Sequence, residues 1–170
     1  MQTRTWWLLG GLATAVGLWA YSRTRSGQSA LPDVVGAVVN TIRGIRNNNP
    51  TNMVDSGIQW DGMTGVDANG FCVFATLADG ITAAKKNLRS YWRLHGINTV
   101  DGICRRWSAT DQDAYVSNVA AWLQVDPQDP LDMEDDGVRT NLVRAMSRQE
   151  DGAAGELLVD DTITSLVGNV

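Results

Sequence analysis

Three groups of residues in this chain have the types and spacing to do chemistry. The first is Arg43-Gly-Ile-Arg-Asn-Asn-Asn-Pro-Thr-Asn52, with three asparagines between Arg46 and Pro50 and a fourth at position 52. Adjacent neutral amides, with aromatics such as Trp60 and Tyr115, suit a sugar. Its hydroxyls and N-acetyl groups need uncharged donors and acceptors, and its faces stack on rings. The same amides can instead satisfy backbone groups while the arginines pair with carboxylates, and pattern alone weighs toward that structural use. The second group is a single residue. Glutamates are few (Glu134, Glu150 and Glu156), and only Glu150 ends an amphipathic stretch beside a glycine, Gly152. The third is Asp132-Met-Glu-Asp-Asp-Gly137, which has acids at relative positions 1, 3 and 5 and glycine at 6 of a calcium loop. Val143 stands where the bidentate glutamate belongs. An acidic run before a helix, favourable at its positive end, explains it without metal.

Other chemistry is poorly supplied. His95 is the single histidine, which argues against a His-based triad or a multi-histidine metal site, and it precedes Gly96 at an apparent helix end. Cys72 and Cys104 lie far apart in apolar company, and neither belongs to a CxxC, so both read as buried thiols. No metal or cofactor is expected. The net charge of −5 over 170 residues argues against a nucleic-acid-binding surface. A basic middle (Lys85, Lys86, Arg89, Arg93, Arg105, Arg106) and acidic late runs read as a solvated, dipolar surface.

Several elements must position these residues. Trp6 to Tyr21 carries no charge, is flanked by Arg4, Arg23 and Arg25, and has aromatics at both ends. At 1.5 Å per residue it spans about 24 Å, so it is expected to be a membrane anchor in preference to a secretory signal. The domains expected are residues 1–25 as an N-terminal transmembrane anchor, 26–32 as a polar linker, and 33–170 as the functional domain. Val34, Val35, Val38, Val39 and Ile42 recur at helical spacing. The asparagine stretch reads as a loop, because asparagine and the residue before proline resist helix. Ile58-Gln-Trp60 and Phe71-Cys-Val-Phe74 read as short strands near the turn dipeptides Asp61-Gly62 and Asn69-Gly70.

Helices are expected for the remainder. Thr76-Leu-Ala-Asp79 and Thr110-Asp-Gln-Asp113 resemble capping boxes, and Thr99 to Trp107 reads as a shorter helix. Another starts at Asp136 and carries Leu142, Ala145 and Met146 toward Glu150, and Leu157 to Val167 is a short apolar segment.

The opening motif resembles the R-G-I-R-N-N-N-P-G-N signature of a family of phage virion proteins related to lysozyme-like peptidoglycan hydrolases. Trp60, Phe71-Cys-Val-Phe74, Asp79-Gly-Ile81, Tyr91, Asn98-Thr-Val100, Arg106-Trp107, Tyr115 and Ala145-Met-Ser-Arg-Gln-Glu150-Asp-Gly152 follow in the family's order. The resemblance covers residues 42–152. It implies a fold that is mainly α with a small β-hairpin, a lysozyme-like α+β domain, here preceded by a single transmembrane helix. It also implies cleavage of the β-1,4 glycosidic bond of peptidoglycan. Glu150 would be the catalytic acid, with no motif-level second carboxylate, as in a lytic transglycosylase. Asn47, Asn48, Asn49 and Asn52 would line the groove, with Trp60 or Tyr115 stacking. The partners implied are peptidoglycan, other virion proteins, and a membrane through Trp6 to Tyr21; the location implied is the virion, in association with a membrane. A non-enzymatic virion membrane protein that keeps the fold to bind capsid or glycan is the alternative. Thr51 departs from the family's glycine, and Asp151 adds a second negative charge beside Glu150. In typical lysozyme-like chains the glutamate precedes the asparagine and β region, whereas Glu150 follows it.

Overall fold

A computed structural model describes residues 42–159. In chain order they form α1 (Arg43–Arg46), β1 (Met63–Val66), β2 (Cys72–Phe74), α2 (Leu77–His95), α3 (Val100–Trp107), α4 (Gln112–Leu123) and α5 (Asp136–Leu158). The result is mainly helical, with one antiparallel two-stranded hairpin.

Local chemistry explains most boundaries. Thr76 and Asp79 form a reciprocal capping box that starts α2, and Gly96 ends it in the left-handed conformation that a Cβ disfavours. The Thr99 side chain accepts the Gly102 N–H and starts α3. Leu88 of α2, Ile103 of α3, Val119 of α4, and Leu142 and Met146 of α5 are fully buried in one core. Each such aliphatic side chain contributes roughly 1.5–3 kcal/mol by leaving water. Met53, Cys72, Phe74 and Ala83 form a second, smaller cluster beneath the hairpin. Both cysteines are free and buried, as their apolar neighbours implied.

The expected fold needs correction in several places. No described helix is long and apolar enough to cross a membrane, so the transmembrane helix drops out of the fold class. The segment Trp6 to Tyr21 lies outside the described residues, as do the valine-rich stretch before Ile42 and most of Leu157 to Val167. The lysozyme-like α+β description drops out with it: the sheet is a hairpin of four and three residues, and the helix bearing Glu150 comes last. Ile58-Gln-Trp60 is not a strand. Gly62, at φ 74°, turns the chain first, and the strand begins at Met63. Arg43–Arg46 is a single helical turn, so the loop proper starts at Asn47. Finally, α4 has no capping box. Asp111 adopts a left-handed backbone without a side-chain cap, while the Gln112 amide turns back to the Arg105 and Ser108 carbonyls at the end of α3.

The acidic run has specific structural partners. Glu134 pairs with both Arg89 and Arg93, and Asp136 with Lys85 and Arg139. Asp135 accepts the Val138 N–H at the start of α5. The basic middle and acidic late clusters thus bind α2 to the start of α5.

Candidate active site

The asparagine loop is a latch, and each amide has its own target. Asn47 donates to the Asp67 carboxylate at 2.8 Å, inside the hairpin connection. Asn48 donates to the Phe74 and Ala75 carbonyls at 3.0 and 3.2 Å. Asn49 is 0% exposed and makes three bonds: it donates to the Met53 and Cys72 carbonyls and accepts the Met53 N–H, all at 2.9 Å. A proline follows it where no N–H is needed. Three of the four amides expected to line a glycan groove therefore hold the loop onto the hairpin, two of them through β2. Positive φ falls at Asn48 and Asn52, two residues of the type that tolerates it, while Thr51 needs none.

Asn52 is the amide that reaches the candidate acid. Its nitrogen lies 3.2 Å from Glu150 Oε2 and 3.4 Å from Asp151 Oδ1, joining positions 98 and 99 residues apart. Helix α5 brings Glu150 here because its regular backbone breaks just beyond, at Gly152 (φ 68°, ψ −154°). The carboxyl is half-buried, with the Tyr115 ring of α4 beside it and Arg43 farther off. Burial pushes the Glu150 carboxyl above the ordinary range. The Asn52 amide and the Tyr115 hydroxyl oppose this, Asp151 adds to it, and Arg43 opposes it weakly. Burial also raises Asp151, against the Asn52 amide, the Gly44 N–H and Arg43. Gly44 must lack a side chain, since a Cβ there would overlap Asp151 Oδ2.

Polar atoms left over mark the same place. Thr51 Oγ1, Asn52 Oδ1, the Tyr115 hydroxyl and Asp151 Oδ2 are all buried without a hydrogen-bond partner among the described residues. Tyr115 is pushed well above its usual value, by burial first and then by the Glu150 charge. A proton on one carboxyl would offer the Asn52 and Thr51 oxygens a donor, and the Tyr115 hydroxyl can donate to the other.

The two aromatic candidates differ: Tyr115 is buried and Trp60 is partly exposed. Tyr115 is 4% exposed and belongs to the main core, and Trp60 packs against the smaller cluster. Reasoning from sequence left Arg43, Gly44 and Asp151 out of the site. Arg43 and Gly44 stand in the motif itself, and the departure at Asp151 was the available signal.

No protein-family model matches the chain. Over 85 residues it is 38% identical to Protein P5 of Pseudoalteromonas phage PM2. The chain is similar to a phage protein. The match takes in 46% of this chain and 53% of that protein, so the chain spans about half the length of the curated relative.

Proposed function

We propose that this chain is a phage virion protein whose domain cleaves the β-1,4 glycosidic bond of peptidoglycan, opening the cell wall during entry. The similarity to a phage protein supports the first part. The second rests on one observation: the Glu150 carboxyl is packed against Asn52 and Tyr115, and its partial burial raises it above the ordinary carboxylate range. A general acid working near neutral pH needs a shift in this direction. Glu150 donates its proton to the leaving glycosidic oxygen. As the resulting carboxylate, it then accepts the proton of the sugar's own 6-hydroxyl, which closes on the anomeric carbon to give a 1,6-anhydro end. Asp151, also raised by burial, is poorly suited to be an ionised nucleophile, which favours this single-acid route over a retaining hydrolase.

A second reading is favoured by the latch. Asn47, Asn48 and Asn49 are occupied inside the fold and Tyr115 is buried, as suits a non-enzymatic virion protein that keeps the fold to bind glycan or capsid. A zymogram separates the two. The enzyme clears peptidoglycan and Glu150→Gln does not, whereas the structural protein clears none. Clearing by Glu150→Gln at the wild-type rate removes Glu150 from the mechanism.

A further inference from the structure

A groove of 390 Å³ opens between the segment after Asn52 and the ends of α2 and α3. That volume lies within the range of small-ligand sites. Its wall continues the candidate active site: Met53 lines it, and Trp107 lines it while donating its indole N–H to the Thr51 carbonyl at 3.0 Å. Glu150 does not line it; the two places share the backbone from Thr51 to Met53.

The lining has an unusual composition. Val54, Ile58 and Leu94 project from it at 57%, 49% and 74% exposure, three of the five large apolar side chains that stand in solvent among the described residues. Tyr91 and Trp107 pack at a tilt, with ring centroids 6.2 Å apart. The Asn87 amide donates to the Met53 sulfur at 3.7 Å, a weak acceptor, and lies against the Tyr91 hydroxyl, so it has capacity for a better acceptor in place of the sulfur. Arg106 lies 4.8 Å over the Tyr91 ring and 3.2 Å from His95 Nε2. Among the described residues Arg106 has no carboxylate partner, whereas Arg89, Arg93 and Arg105 nearby all do. Asp55, the one acid in the lining, accepts the Gly57 N–H through Oδ1.

We infer that this groove binds an N-acetylated amino sugar carrying a carboxylate, the muramyl unit with its peptide stem. The apolar ring face lies on Ile58 and Leu94, the acetamido oxygen accepts from Asn87, and the carboxylate pairs with Arg106. The choice of polymer rests on the peptidoglycan reading above; the preference for a carboxylate rests on Arg106. A charge-assisted bond to an arginine corresponds to about a tenfold or larger preference.

The test is titration of the full chain with muramyl dipeptide and, separately, with the neutral dimer N,N′-diacetylchitobiose, following the Trp107 indole N–H by NMR. The muramyl ligand is expected to bind at least tenfold more tightly. Arg106→Gln, at an exposed position, is expected to erase that preference, Arg106→Lys to keep part of it, and Leu94→Ala to weaken both ligands. Equal binding of the two ligands, no shift of the Trp107 signal, or an unchanged preference in Arg106→Gln overturns the inference. Wild-type clearing of peptidoglycan keeps the two readings apart. Tight muramyl binding with no clearing by the wild type leaves the groove and removes the enzyme, while clearing without muramyl preference does the reverse.

Discussion

Asn49→Ala is the sharpest probe of the latch. The alanine strips three hydrogen bonds from a site with no solvent access and leaves the Met53 N–H, the Met53 carbonyl and the Cys72 carbonyl without their partner. A net bond is worth about 1 kcal/mol, and a buried group left unsatisfied costs about 1–3 kcal/mol. Allowing the loop to relax, the expected loss is about 3–5 kcal/mol, a large part of the 5–15 kcal/mol typical of a domain. Urea unfolding followed by tryptophan fluorescence measures it as a fall in midpoint at unchanged slope. Asn49→Asp adds a check of sign. Its carboxylate would face two carbonyls, so its folded pKa is raised; stability is best preserved at low pH and is lost as pH rises through that value. A midpoint for Asn49→Ala within about 0.5 kcal/mol of wild type, the scatter of ordinary surface changes, would refute the latch.

Three further outcomes are expected. Burial raises both Glu150 and Asp151, so their protonated forms stabilise the fold fully below the ordinary carboxylate range, and that contribution disappears as pH rises through the raised values. Thermal midpoints should therefore show Glu150→Gln/Asp151→Asn gaining on wild type from acid toward neutral pH; a constant difference contradicts this. Gly80→Ala puts a Cβ into the Asn48 carbonyl, which is backbone and cannot swing aside, and should cost about 1–3 kcal/mol in chemical denaturation. The thiols of Cys72 and Cys104 are pushed up to about 11 and about 12 by burial, with Asp55 and Asp101 adding to the effect. Disulfide reagents at pH 8 should therefore label them only as fast as the protein unfolds.

Features set by neighbouring residues were legible in the sequence. The Thr76 capping box, the Gly96 terminus and the start of α5 at Asp136 each depend on a few adjacent residues, and each stands where the pattern puts it. The hairpin was misplaced because Ile58-Gln-Trp60 has strand-like residues, while the strand's start depends on Gly62, whose carbonyl accepts the Ala75 N–H thirteen residues away. At the second capping motif, the Gln112 amide serves the carbonyls that end the preceding helix, a competition that spacing alone does not reveal. The site was legible in part. The motif and Glu150 were both visible, but which asparagine meets the acid depends on a contact across 98 residues, and only Asn52 makes it. The other three amides seek backbone carbonyls and a carboxylate 20 or more residues away, which no local pattern distinguishes from ligand binding.

Digestion of purified sacculi, with the released fragments resolved by mass spectrometry, tests the central claim most directly. The wild-type chain is expected to release muropeptides ending in 1,6-anhydro sugars, and Glu150→Gln to release them at least a hundredfold more slowly, the lower range of a lost general acid. Release of the same fragments at the wild-type rate by Glu150→Gln, or none by the wild type, contradicts it.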